Sequence, residues 1–235
     1  MKIAAIGSFV VVSSLLAVSC RVFCPCENPA TPGEEGAQAA GGAAKTGASA
    51  GWMDLFDGTS LAGWKINENP QSWSVRDGAI VANGERSHLF YIGDPEPFVE
   101  FELEVVAMTK PGSNSGVYIH TQYQDSGWPK YGYEVQVNNS HSDPVKTGSL
   151  WGVDGAKVFE PPAKDDTWFT LNVRVQGKNV RVQVDGKTVV DYTEPPGKQP
   201  GEDFTRVLDK GTFALQAHDP GSTVMYKSIR VRRLP

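Results

Sequence analysis

Three segments of the chain carry polar side chains of the kinds that bind sugars. In a β-strand, successive side chains point to opposite faces, so every second residue shares one face. Carboxylate, amide and imidazole groups supply the donors and acceptors that sugar hydroxyls need, and aromatic rings supply a wall for the sugar ring. A plain solvated face is the alternative, but such faces are usually rich in Lys, Thr and Ser. The three sets are Glu134, Gln136 and Asn138; Tyr118, His120 and Gln122; and Gln216 with His218.

Other kinds of chemistry find little support in the sequence. The four histidines are scattered, and residues 52–235 contain no HxH, HExxH or cysteine pair, so no metal site and no cofactor are predicted. Loop carboxylates such as Asp154 and Asp165 are of the type that binds calcium, but nothing in their spacing argues for it. The formal net charge of −5, with both signs interspersed, argues against nucleic acid as a partner.

The aromatic and remaining histidine residues divide by context. Trp64 and Trp73 fall in short apolar runs and are predicted to be core residues. Trp128 and Trp151 lie in Gly-rich loops, where an aromatic platform for a ligand and simple packing are both open. His88 and His141 are interpreted as incidental.

The elements that must position these side chains read as β-strands throughout. Apolar and polar residues alternate over 99–105, 169–175 and 225–232, without a helical period. Another alternating run, 180–184, leads into Asp185-Gly186, a favoured hairpin turn. The pattern predicts an all-β, concanavalin-A-like jelly-roll β-sandwich of two antiparallel sheets, with a barrel as the alternative.

The N-terminal segment reads as an export signal and a tether. Lys2 precedes an apolar run over residues 3–18 that ends at Ser19-Cys20, which predicts a lipoprotein signal peptide over 1–19 and lipidation of Cys20. Ordinary secretion is the alternative. Residues 20–51 have few large apolar side chains and are predicted to be a disordered tether that also holds the other two cysteines. The expected location is the bacterial cell envelope, with membrane contact through the lipid anchor only.

A series of motifs then makes the folded part recognisable. In chain order they lie at 52–64 (WMDLFDGTSLAGW), 73–80 (WSVRDGAI), 114–119 (NSGVYI), 132–137 (GYEVQV), 147–152 (TGSLWG), 168–170 (WFT) and 215–218 (LQAH). This series resembles the bacterial 3-keto-disaccharide hydrolase family (3-keto-glucoside 1,2-lyase/3-keto-2-hydroxy-glucal hydratase domain). The resemblance covers residues 52–234, and it implies a jelly-roll domain over 52–235.

The resemblance implies cleavage of the glycosidic bond of a 3-keto-glucoside. The ketone acidifies the C2 hydrogen, so a base can remove it, the C1 oxygen leaves, and water adds to the product. His218 is predicted as base or acid and Glu134 as its complement. Gln136, with Lys146 or His120, is predicted to polarise the ketone. The other predicted substrate-binding residues are Asn138, Tyr118, Trp151 and Gln216.

Two other functions stay open from the sequence. A non-catalytic carbohydrate-binding lipoprotein module would use the same fold and the same polar faces. A surface scaffold that binds another protein would need a broad exposed apolar patch, for which the sequence gives no sign. For the enzyme, a sugar 3-dehydrogenase in the same pathway is the implied partner.

Overall fold

The computed structural model describes residues 51–235. The predicted signal peptide, the lipidated Cys20 and nearly all of the tether lie outside these residues, so they stay predictions. Within residues 51–235, no helix is long and apolar enough to cross a membrane.

The larger sheet has eight strands, all paired antiparallel and numbered in chain order. The short β1 (Met53–Asp54) pairs with one end of β13 (Thr223–Arg233), outside the main order of strands. Along that path the strands are β11 (Lys187–Thr193), β10 (Asn179–Val184), β9 (Phe169–Gln176), β6 (Phe101–Thr109), β13 (Thr223–Arg233), β4 (Ala79–Asn83) and β3 (Trp73–Arg76).

The smaller sheet has five antiparallel strands and carries the polar segments named above. In order of pairing they are β2 (Trp64–Ile66), β5 (Ser87–Tyr91), β12 (Thr212–Ala217), β7 (Asn114–Thr121) and β8 (Tyr133–Asn138). A short 3₁₀ helix, Pro70–Ser72, precedes β3. The prediction of an all-β sandwich of two antiparallel sheets is confirmed.

The core lies between the two sheets and follows from the alternation in sequence. In β6, Phe101, Leu103 and Val105 are fully buried, and the intervening glutamates face outward. Glu104 pairs there with Arg230 at 2.7 Å. Each fully buried apolar side chain of this size stabilises the fold by about 1.5–3 kcal/mol. The strand begins two residues later than predicted, and Val99, expected to face the core, is half exposed.

The predicted hairpin between β10 and β11 is also confirmed. Asp185 has φ 48° and Gly186 has φ 77°, the positive values that a two-residue type I′ turn requires. Val184 pairs with Lys187 directly across this turn.

The smaller sheet is covered on both faces. All eight residues of β7 are buried, although only every second side chain can face the core. Three long connections flank the strands of this sheet, over residues 122–132, 139–168 and 194–211. They contribute Trp128, Trp151 and Arg206 to the lining of one pocket, whose floor is the outer face of the sheet.

Candidate functional site

The strand register brings the predicted polar faces together. Tyr118 of β7 lies directly opposite Glu134 of β8, and Gly116 lies opposite Gln136. On the other side of β7, Leu215 of β12 pairs with Val117. Gln216 therefore lies next to Gly116, on the same outer face. The three segments thus form one continuous surface rather than three separate ones.

A pocket of about 410 Å³ opens above this surface, within the size range of small-molecule sites. Six of the predicted residues line it: Tyr118, Glu134, Gln136, Trp151, Gln216 and His218. The remaining lining residues are Asn114, Trp128, Pro129, Gly132, Asp143, Phe204 and Arg206.

Glu134 lies at the centre of a hydrogen-bond network in the pocket floor. The Tyr118 hydroxyl donates to its Oε2 (2.9 Å), and Gln216 Nε2 donates to its Oε1 (3.1 Å). Gln216 Nε2 also donates to the Tyr118 hydroxyl oxygen (2.8 Å). Burial raises the pKa of Glu134 from 4.5 to about 7, although both hydrogen bonds lower it. A carboxyl with this pKa can both give and take a proton near neutral pH.

A glycine on the neighbouring strand makes room for this carboxyl. A Cβ atom at Gly116 would lie 2.5 Å from Glu134 Oε1 and 2.8 Å from its Cγ. The Glu134 side chain therefore lies across the backbone of β7, where any larger residue would displace it. The NSG motif has this glycine for a steric reason.

Two buried amides leave acceptors unused beside the carboxyl. Gln136 and Gln216 are each 1% exposed, and neither Oε1 atom has a hydrogen-bond partner within residues 51–235. Gln136 Nε2 donates to Asn114 Oδ1 (2.9 Å), which fixes the orientation of its amide. Unpaired acceptors in a pocket floor suit hydroxyl donors of a bound sugar.

His218 follows directly after β12 and is oriented by its neighbour. Its Nδ1 lies 2.7 Å from Asp219 Oδ2. Because a carboxylate only accepts, the proton of neutral His218 lies on Nδ1 and the lone pair on Nε2. Asp219 also accepts from the Ser222 hydroxyl and the Gly221 amide, both at 2.8 Å. Burial raises the pKa of Asp219, but the hydrogen bonds outweigh it, with the one from His218 the largest among them, so the pKa is lowered. The pair resembles an oriented general base.

Arg206 is the cationic residue of the opposite wall. Its guanidinium stacks on Trp151 (4.8 Å) and Phe204 (5.0 Å) and lies against Gly152, where a Cβ would be 2.5 Å from Cζ. Its φ of 44° is unusual for a residue with a side chain. Within residues 51–235 its donors have no hydrogen-bonded or ion-paired partner, so they remain available to a ligand in the pocket.

Trp128 and Trp151, for which a ligand platform and simple packing are both consistent with the sequence, line the pocket. Trp128 lies next to His218, with ring centroids 5.4 Å apart, and Trp151 lies at the Arg206 side. The two tryptophans predicted to be core residues are buried. The Trp64 indole N–H donates to Leu55 O (2.7 Å), and the Trp73 indole N–H donates to Ser87 Oγ (2.8 Å).

His120 does not reach the pocket, contrary to the expectation that it shares a face with Tyr118. Between Tyr118 and Thr121 the strand bulges, so that Ile119 and His120 lie opposite the single residue Phe213 of β12. His120 has φ 53°, which turns its side chain away from the pocket. Its Nε2 lies 2.8 Å from Val99 O, and its Nδ1 accepts from the Asp209 amide at 3.3 Å.

Asn138 and Lys146 also lie off the pocket lining, in contrast to their predicted substrate-binding roles. Asn138 Nδ2 donates to Asp143 O (3.0 Å) and Val145 O (2.9 Å). Lys146 Nζ donates to His141 O (2.7 Å) and Asp143 O (2.8 Å). Both side chains satisfy backbone carbonyls of the loop after β8. They hold in place the loop that carries Asp143 into the lining.

Sequence patterns alone do not identify several residues of the lining. Asn114 lies inside the motif at 114–119, which is the signal for it. Asp219 orients His218 without lining the pocket, and its position directly after His218 is the signal for it. Arg206 lies in a connection without periodicity, where no pattern predicts direction. Among residues 51–235 no group of three or more His, Cys, Asp or Glu side chains is placed to hold a metal ion.

The suggested calcium ligands have other partners. Asp154 pairs with Lys157 Nζ at 2.7 Å, and Asp165 accepts from the Thr109 hydroxyl at 2.6 Å.

Comparison with known proteins points to carbohydrate chemistry. A family model described as a 3-keto-alpha-glucoside-1,2-lyase-like domain matches residues 51–232. A putative glycosyl hydrolase from Parabacteroides distasonis is similar in structure, with 23% identity over 78% of this chain and 99% of that one and a TM-score of 0.60. The search of curated proteins found no match.

Two further solved structures share the fold at lower identity. Carbohydrate-binding module CBM66 from Bacillus subtilis matches with 15% identity, 72% and 95% coverage of the two chains and a TM-score of 0.52. Crh5 transglycosylase in complex with NAG matches with 15% identity, 80% and 86% coverage and a TM-score of 0.56. At these identities the likeness concerns the fold alone.

Proposed function

Because the chain belongs to the 3-keto-alpha-glucoside-1,2-lyase-like family, we propose that it cleaves the glycosidic bond of 3-keto-glucosides by elimination followed by hydration. The observation that carries this proposal is the presence in one pocket of Glu134, with a pKa raised to about 7, and of His218, whose Nδ1 is held by Asp219 outside the lining. Two proton-transfer groups of different character are what an elimination needs. The similar glycosyl hydrolase and transglycosylase structures agree with carbohydrate chemistry in general.

In the first step, His218 Nε2 takes the proton from C2 of the keto sugar. The electron pair of the C2–H bond forms the C2=C3 double bond of an enolate, and the negative charge moves to the ketone oxygen. Arg206 supplies donors for that oxygen, since its guanidinium faces the pocket without a partner. Asp219 stabilises the imidazolium that forms on His218.

In the second step, the enolate re-forms the ketone and the C1–O bond breaks. Glu134 in its protonated form gives its proton to the departing oxygen, and the product is a 3-keto-2-hydroxy-glucal. Water then adds to C1 while Glu134, now a carboxylate, takes a proton from it, and His218 returns the first proton to C2. Both groups end in their starting states, so the cycle needs no further reactant.

The test is turnover of a 3-keto-glucoside and of its unoxidised parent by the purified domain. We expect glucal or free keto sugar only from the keto substrate. His218→Ala and Glu134→Gln should each lower kcat/KM by at least about a hundredfold. Binding of both sugars without turnover would instead support a carbohydrate-binding module, and neither binding nor turnover would support a scaffold. Undiminished turnover by both variants would refute the assigned roles.

We also propose that the protein is an exported lipoprotein, since Cys20 follows an apolar segment and a small residue. Incorporation of labelled palmitate into the wild-type chain, and its loss in Cys20→Ser, is the expected result. Equal labelling of both chains would contradict it. Its substrate would be supplied by an enzyme that oxidises a sugar hydroxyl at C3.

A further inference from the structure

A buried histidine lies beside the pocket floor, on the same face of the smaller sheet, and has no role in the mechanism above. His88 of β5 is 0% exposed, and neither of its ring nitrogens has a hydrogen-bond partner within residues 51–235. Its backbone is fixed, since its amide donates to Asn67 Oδ1 at 2.8 Å. A buried imidazole without partners costs stability, so its presence calls for an explanation other than packing.

The surroundings of His88 connect it to the pocket. Its ring packs edge to face against two lining residues, Tyr118 at 5.4 Å and Trp128 at 5.5 Å between centroids. It lies directly across from Gln216, whose Oε1 is also buried and unpaired. Unsatisfied polar atoms of His88 and Gln216 therefore lie on adjacent strands and on the same outer face of the smaller sheet, next to the Trp128 indole.

Hydrogen bonds hold the backbone around Trp128, whereas its indole is held by ring contacts alone. The Gly127 amide donates to Glu68 Oε1 (3.0 Å), and Trp128 O accepts from Gln124 Nε2 (2.9 Å). Its indole N–H has no acceptor within the described part of the chain, in contrast to the buried tryptophans Trp64 and Trp73. The indole can therefore change its rotamer without breaking a hydrogen bond, while its loop stays in place.

We propose that His88 is a sugar-binding residue, reached when the Trp128 indole turns aside, and that it binds one hydroxyl of the substrate together with Gln216 Oε1. A neutral imidazole offers one donor and one acceptor, the same pair that a sugar hydroxyl can match. Burial, and to a lesser extent the charge of Arg86, lowers the pKa of His88 to about 3, so it is neutral at physiological pH. The proposal rests on the proposed function only in requiring a sugar in this pocket.

The first test uses His88→Phe in a Glu134→Gln background, in which turnover should be slow enough to measure binding. Calorimetry with a 3-keto-glucoside should show Kd about tenfold higher than for Glu134→Gln alone, equal to about 1.4 kcal/mol. The melting temperature should not fall, because an apolar ring replaces an unsatisfied one. As a control, Phe90→Leu alters packing against the same ring, 6.3 Å away, and should leave Kd within about twofold. Equal Kd values with and without the His88 substitution would overturn the proposal.

A second test does not depend on folding of that variant. Modification of His88 by diethyl pyrocarbonate, followed by mass spectrometry, should be slow in the wild type and at least about tenfold faster in Trp128→Ala. Added keto sugar should suppress the faster rate. His88 that stays unreactive in Trp128→Ala would refute the opening beneath the indole. If the wild type binds the keto sugar but does not turn it over, the proposed chemistry is refuted and sugar binding at His88 is not. If the wild type binds no sugar, both proposals are refuted.

Discussion

Replacing Tyr118 with Phe should move the alkaline limb of the pH–rate profile upward. The Tyr118 hydroxyl donates to Glu134 Oε2 at 2.9 Å and so stabilises the charged carboxylate. A hydrogen bond to a charged group contributes about 1.5–3 kcal/mol, and about 1.36 kcal/mol corresponds to one pKa unit, so complete loss gives about one to two units. Because Gln216 Nε2 still donates to the same carboxyl, we expect the lower end, about one unit.

The sign follows from the role of Glu134 in the proposed elimination. The protonated form gives a proton to the leaving oxygen, so kcat/KM falls as pH rises through the pKa of about 7. In Tyr118→Phe the pKa is higher, and activity should persist about one pH unit further.

The assay is initial-rate measurement of kcat/KM for the 3-keto-glucoside across pH. Tyr123→Phe is the matched control, since Tyr123 packs against the same small cluster on this face and its hydroxyl has no hydrogen-bonded partner within residues 51–235. Its profile should coincide with that of the wild type. An alkaline limb that stays in place in Tyr118→Phe, or moves to lower pH, would refute the reasoning.

Three further predictions concern other parts of the site. Gly116→Ala should lower kcat/KM at least about a hundredfold by displacing the Glu134 carboxyl, whose Oε1 would lie 2.5 Å from the new Cβ, and kinetics checks it. Arg206→Met should lower kcat/KM about 10²–10³-fold through loss of the enolate donor, whereas Arg181→Met, an exposed arginine of the β10–β11 hairpin, should not. The free energy of unfolding of the wild type should fall as pH decreases from 6.5 towards about 3, because His88 binds a proton in the unfolded chain but stays neutral in the folded one. His88→Phe should reduce this fall. Urea unfolding at neutral and acidic pH measures both.

The sheets and the central part of the site could be predicted because strand periodicity carries both. Alternation in 133–138 determines which side chains share a face, and the register of β7 with β8 then places Tyr118 opposite Glu134. In a regular strand, successive side chains point to opposite faces of the sheet, so knowing which face one side chain is on gives the face of all the others.

The same rule led to the wrong placement of His120. One extra residue in the strand reverses the alternation, and no local signal in Ile119-His120-Thr121 announces it. The signals lie elsewhere in the chain. A Cβ at Gly132 would lie 1.9 Å from Ile119 O, and one at Gly211 would lie 2.4 Å from Thr121 O. Gly132 and Gly211 belong to two other segments of the chain and leave room for the bulged backbone. Their role can be recognised only once the three segments are placed next to one another.

Arg206 shows why the direction of a side chain in a loop cannot be predicted from sequence periodicity. Its direction depends on stacking against Trp151 and Phe204 and on the space left by Gly152, which are contacts between two connections with no common period. Asn138 and Lys146 show the converse, since their polar side chains have the right chemistry for a ligand but are used by loop carbonyls.

The complete burial of β7 has a consequence for how the protein should respond to a ligand. Amide hydrogens of Asn114–Thr121 are shielded from water on both sides, so they should exchange with deuterium only when the whole domain unfolds. Ligand-binding loops are usually drawn from parts of a protein that open readily, whereas here a fully buried strand forms the base of the site. A bound sugar should therefore slow exchange in the connections that carry Trp128 and Arg206, while the rates beneath it stay the same.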